Sequence, residues 1–101
     1  MPETVRYSVR EGSRVVVVEF EIPGGVLDVT KLGEAIAAAP TVPGAKIVGI
    51  SGRGPVWLFA ALTHHYHYAK AVATYEPRLN KFVVVATHTP EVKVGDLLDF
   101  E

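Results

Sequence analysis

The run Ser51-Gly52-Arg53-Gly54-Pro55 lies where a short apolar strand must hand over to a helix, and it has the make-up of an anion cradle. Two glycines let the backbone approach a ligand closely. The following helix aims free N–H groups and the positive end of its dipole at the same point. Arg53 adds a guanidinium fork that suits phosphate. No Gly-Lys-Ser/Thr ending follows, so this is not a Walker loop; the plainer alternative is a glycine turn with a surface arginine. Further along, His64, His65 and His67 fall close together. At about 100° per residue, Leu58, Phe59, Leu62 and Tyr66 gather on a core-facing side of a helix, and Trp57, Ala60, His64 and His67 on another. Residues three apart are neighbours on a helix surface, so His64 and His67 can cooperate. Neutral imidazoles at this spacing hold a divalent metal or trade protons near neutral pH; a solvated or interface cluster is the alternative. Trp57 is either a stacking platform for a base or part of a subunit interface. Glu76-Pro77-Arg78 marks a turn tip at which Pro77 holds a carboxylate and a guanidinium together. Glu76 is a candidate general base or metal ligand, and Arg78 a stabiliser of charge developing on a phosphate. The two could equally be a surface ion pair. His88 closes the next strand as a further ligand, a proton donor or a plain surface residue. Ser51 has no triad partners in a known order.

The elements that must position these groups read as follows. Val5–Val9 and Arg14–Ile22 are strands joined by a turn over Arg10–Ser13, where Gly12 relaxes the backbone. Phe20 and Ile22 share a face against Glu19 and Glu21, and Pro23-Gly24-Gly25 ends the strand. Asp28 can cap a helix running to Ala39, with Val29, Leu32, Ile36 and Ala39 as its apolar stripe and Pro40 and Pro43 as its stop. Lys46–Ile50 is a short strand. A second helix runs to Tyr68, with Pro55 at its first position, where no donor is needed. Ala71–Tyr75 and Phe82–Thr87 are strands around the Glu76–Asn80 turn. Val94-Gly95-Asp96 leads into a last strand, Leu97–Phe100. The order β-β-α-β-α-β-β-β implies parallel pairing at the centre with right-handed crossovers and hairpins at the ends. It describes one compact α/β domain over residues 1–101.

Composition narrows the functional classes. A chain of 101 residues, 49% hydrophobic and 21% charged, suits one globular domain. The absence of cysteine rules out disulfides and thiolate metal sites and suits a reducing, cytoplasmic compartment. No apolar run approaches the roughly 20 residues of a membrane span. Glu3, Arg6 and Arg10 make the first ten residues unlike a signal peptide. A formal net charge of −1 excludes a generally basic nucleic-acid coat, and no DNA partner is expected. The charge is uneven, however. From Lys46 to Lys81 five basic residues face Glu76 alone, while the remainder is acidic. A basic, His-rich middle within an acidic chain suggests a focused anionic ligand; a chance distribution is the other reading.

Taken together, Ser51-Gly52-Arg53-Gly54-Pro55-Val56-Trp57-Leu58, His64-His65-Tyr66-His67, Tyr75-Glu76-Pro77-Arg78-Leu79 and Val83–His88 resemble the Csx-three family of small CRISPR-associated type III proteins. The resemblance covers Lys46 to Phe100. It implies a Rossmann-like domain related to CRISPR-associated nucleotide sensors (CARF-like), forming a homodimer that stacks head to tail around its ligand. The implied ligand is cyclic tetra-adenylate. The implied activity is that of a manganese-dependent ring nuclease that ends the defence signal, and the family is also described as trimming adenylate from short RNA. By the resemblance, Ser51, Gly52, Arg53, Gly54 and Pro55 cradle phosphate with Trp57 beside them. The reactive histidine is His67, next to His64. The acidic role falls to Glu76 and the phosphate clamp to Arg78; His64, His67 and His88 form the metal set. Two positions depart from the family. Glu76 replaces an aspartate, with one more methylene of reach, and Tyr68 stands where a second histidine often follows. Some relatives continue into a kinase-like domain, which is not expected within these residues. A sensor or sponge that binds the ring without cutting it, an enzyme trimming RNA 3′ ends, and an inert structural dimer are the competing expectations.

Overall fold

Long β-branched runs dominate the centre of the sheet. In the computed structural model, which describes residues 4–100, Val15–Glu21 forms β2 with Val15 to Val18 fully buried. Met1, Glu3 and Glu101, which enter the charge and leader readings above, lie outside the described residues. A strand buried on both faces shows a continuous apolar run rather than alternation, and β2 has that form. It pairs antiparallel with β1 (Arg6–Glu11) and parallel with β3 (Ile47–Gly52). Then follow β4 (Ala71–Glu76), parallel to β3, and β5 (Lys81–Thr87), antiparallel to β4 with a bulge at Val72/Ala73. The two-residue β6 (Leu97–Leu98) closes the six-stranded order β1-β2-β3-β4-β5-β6.

Both helices cover one face. Helix α1 (Leu32–Ala37) and α2 (Val56–His65) pack Ala35, Leu58 and Leu62 against Val16, Val18, Ile50 and Val72. The opposite face is covered by the chain's own C-terminal strands. Phe82 and Val84 of β5, with Val92 and Leu98, pack over Val15, Val17 and Ile47. Gly49 makes room for this, because a Cβ there would stand 2.8 Å from the Phe82 ring. The curl carries the chain end to the far edge, where the Arg10 guanidinium lies 4.9 Å over the Phe100 ring. Among the described residues no helix is long and apolar enough to cross a membrane.

Several element boundaries differ from the sequence reading: β1 runs on to Glu11, α1 stops at Ala37 and β6 at Leu98, and three further differences have a local reason. The segment after Asp28 opens as a 3-10 turn, Val29–Lys31, because the Asp28 side chain accepts from the Thr30 N–H and hydroxyl. Val29 therefore leaves the predicted stripe and is exposed, while Leu32, Ile36 and Ala39 do pack on the core. Pro55 is the cap before α2 rather than its first residue. The helix ends at His65, short of Tyr68, so His67 stands on a turn. Tyr66 fixes that ending: its ring is fully buried, and its hydroxyl donates to the Pro40 carbonyl at 2.6 Å. Burial drives the Tyr66 phenol well above its ordinary pKa. Removing that donor in Tyr66→Phe should cost about 1 kcal/mol. Urea unfolding with an unchanged m-value would register it as a lower midpoint.

Candidate functional site

The residues singled out from the sequence collect at two opposite ends of the sheet. The parallel strands β2, β3 and β4 all end on one edge, and there Ser51 and Gly52 close β3 while Glu76 closes β4. Carboxyl ends of parallel strands are where α/β sheets usually hold ligands. Gly52 has φ +148, a conformation that favours glycine, and a Cβ on it would lie 2.6 Å from the Phe20 carbonyl oxygen. Gly54 is equally tight, 2.7 Å from the Phe20 ring. These glycines therefore let the joint sit down on Phe20, and α2 starts from Pro55 with free N–H groups facing the edge. The edge opens as a depression of about 1020 Å³ whose lining includes Ser51, Gly52, Arg53, Glu19, Tyr75 and Pro77.

Electrostatics at this edge are sparser than the sequence suggests. The basic middle segment is largely neutralised by acids from outside it: Lys46 meets Glu11 at 2.7 Å, Lys70 meets Glu91 at 2.9 Å, and Lys81 meets Asp99 at 2.7 Å. Arg53 is exposed and has no hydrogen-bond or ion-pair partner among the described residues. Arg78 is held differently. Its backbone N–H and its Nε both donate to Glu76 Oε2, at 3.0 and 3.2 Å. Those bonds, the backbone one first, hold the Glu76 carboxyl below the usual glutamate range. Glu76 thus orients Arg78, whose side chain is 90% exposed with its terminal nitrogens turned to solvent.

The imidazoles lie at the other end. His64 is in the last turn of α2, His67 on the turn beyond it, and His88 just past β5, where its N–H donates to the Lys70 carbonyl at 2.8 Å. His64 and His67 have ring centroids 5.4 Å apart, and His67 and His88 6.5 Å, each pair nearly perpendicular. All three are exposed. They form a surface imidazole cluster, and among the described residues no three His, Asp or Glu side chains are grouped to hold a metal ion. Tyr68 turns away from the cluster. Its hydroxyl accepts from the Val42 N–H at 3.2 Å and donates to the Val42 carbonyl at 3.3 Å.

Between the cluster and the Glu76–Arg78 clamp runs the whole of β4, six residues or roughly 17 Å at strand rise. One chain does not bring His67 and Arg78 together. Trp57 lies half-buried against the helix-side core and does not line the strand-end depression. Sequence reasoning missed Glu19 and Tyr75, which share the strand-end depression with Ser51. The available signal was the polar side of β2's terminal alternation, Glu19 and Glu21 opposite Phe20 and Ile22.

A family model described as CRISPR-associated protein (Cas_csx3) matches residues 21–99, reaching further toward the N-terminus than the resemblance read from the motifs. The chain is also 37% identical over 102 residues to an uncharacterized protein of Aquifex aeolicus (strain VF5), covering 98% of this chain and 91% of that protein. With the strand-end cradle, the orienting Glu76–Arg78 pair and the histidine cluster described, the match over most of the chain places this protein in the Cas_csx3 family of CRISPR-associated proteins.

Proposed function

We propose that this protein is a ring nuclease that opens cyclic tetra-adenylate to linear oligoadenylates and so ends a type III CRISPR antiviral signal. The observation that supports this reading is the placement of the glycine joint with Arg53 and Arg78 at one end of the sheet and of the histidine cluster at the other. Copies placed head to tail would face Arg53, Arg78 and the glycine joint of one toward His64, His67 and His88 of the next. A two-fold dimer would double both sets, which suits a ring carrying four phosphates.

In this scheme the ribose 2′-hydroxyl oxygen attacks the adjacent phosphorus and the bond from phosphorus to O5′ breaks. A 2′,3′-cyclic phosphate and a 5′-hydroxyl result. His67 takes the 2′-hydroxyl proton, and a neighbouring imidazolium, His64 or His88, returns one to O5′. Arg78 and the backbone N–H groups after Gly54 bear the charge that develops on the phosphoryl oxygens. Glu76 keeps Arg78 in place rather than accepting a proton, consistent with its depressed pKa. Manganese is the cofactor proposed from the family; no step above runs through it, since a single chain offers no grouped ligand set among its described residues.

The test is incubation of the protein with cyclic tetra-adenylate, with manganese or with EDTA, and chromatography of the products. Linear di- or tetra-adenylate is expected, with a rate rising more steeply than linearly in protein concentration. Intact ring in every tube overturns the proposal. Binding without turnover would leave a sponge, the reading that Glu76's engagement with Arg78 favours as second choice.

A further inference from the structure

The strand-end depression has a side recess. It lies on the face away from the helices and has a volume of about 480 Å³, within the size range of small-ligand pockets. Glu19, Ser51 and Tyr75 line both spaces, so the two adjoin. The strand register explains the sharing. Glu19 stands opposite Ser51 across β2 and β3, and Tyr75 stands opposite Phe82 across β4 and β5. All four point to the face that also carries Val17, Ile47 and Ala73.

The walls are aromatic and braced. Tyr75 and Phe82 meet edge to face at 5.3 Å, and the Tyr75 hydroxyl donates to the Asn80 side chain. Phe100, 41% exposed, is backed by the Arg10 guanidinium. Asp99 is taken by Lys81. The Glu19 carboxylate, an acceptor only, and the Ser51 hydroxyl, a donor and acceptor, make no hydrogen bond among the described residues; nor do the Asn80 NH₂ and the Arg10 guanidinium, which lies over Phe100.

We propose that this recess receives a nucleobase of the bound oligonucleotide and selects one with an exocyclic amino group. Glu19 accepts from that amino group, Ser51 donates to the adjacent ring nitrogen, and the aromatic walls take the flat faces. A base with an oxo group in the same place would set a lone pair against the carboxylate and leave Glu19 unsatisfied. Glu19 is exposed in the free protein; a base that covers it displaces its water, and the unmatched carboxylate then rejects such an analogue more strongly than shape alone does. The inference rests on the oligoadenylate reading and adds to it the residue that tells adenine from hypoxanthine.

The experiment compares binding of 2′-O-methylated cyclic tetra-adenylate and cyclic tetra-inosinate, which lack the nucleophile for turnover, to wild type and to Glu19→Gln. Wild type should prefer the adenylate ring by about tenfold or more, the size of a charge-assisted hydrogen bond. In E19Q the amide can turn its NH₂ toward the oxo group, so the preference should fall to below about twofold. Melting curves of the two proteins should coincide, because Glu19 makes no contact that the fold needs. An unchanged preference in E19Q overturns the base assignment while leaving the nuclease reading intact. Failure of the wild type to bind either ring overturns both.

Discussion

His67→Ala should keep the ring bound and lose its turnover, by about 10²–10⁴ in rate, the usual contribution of a positioned general base. Arg78→Ala should lose turnover too, with weaker binding, because a phosphate clamp acts on both. The decisive result is the mixture. If His67 of one copy works on phosphate held by Arg78 of another, equal amounts of the two inactive variants should recover about a quarter of the wild-type rate, the chance that a site draws both intact residues. No recovery in the mixture, with each variant folded and the ring bound, would mean that the groups act within one chain after a rearrangement. The separation along β4 makes that result unexpected.

Gly52→Ala should be the most damaging small change in the molecule. The residue has φ +148, and an added Cβ would lie 2.6 Å from the Phe20 carbonyl oxygen and 2.8 Å from its ring. Backbone strain of this kind costs about 1–3 kcal/mol, and the clash falls on main chain of the neighbouring strand β2, where little can give. A total loss of about 2–4 kcal/mol is expected in urea unfolding. The contrast is Gly33→Ala in α1, where no atom lies within 4 Å of the added carbon. There the change should stabilise by about 0.5–1 kcal/mol, as alanine is the better helix former. Equal stabilities for G52A and wild type would show that the joint is looser than its contacts imply.

Strand positions were legible because their signals are local. The Val15–Val18 run, the Glu76–Asn80 turn and the glycine joint lie within a residue or two of where periodicity and turn chemistry put them. The end of α2 was not legible. Leu58, Leu62 and Tyr66 keep helical spacing through a point where the backbone has already left the helix, and the cause is the Tyr66 bond to Pro40, a contact 26 residues away. Charge was misleading for the same reason. Lys46, Lys70 and Lys81 look like a basic cluster along the chain, yet each finds an acid from a distant segment. The site residues were named individually, but strand direction decides their grouping. Only when β4 is seen to run from the His67 turn to Glu76 does one list become two ends.

The sheet order has a kinetic meaning as well. Every strand lies beside its predecessor in the chain, so no gap has to be left for a strand that arrives later. Two junctions are tight turns, the two parallel ones are closed by residues 22–46 and 53–70, each carrying its own helix to the same face, and the fifth, from β5 to β6, spans residues 88–96. Low separation between partners shortens the entropic search before contacts form. Such a chain can be laid down in order of synthesis, each element docking on a platform already built. The last pieces added, β5 and β6, seal the face that would otherwise leave Val15, Val17 and Ile47 open to other unfinished chains.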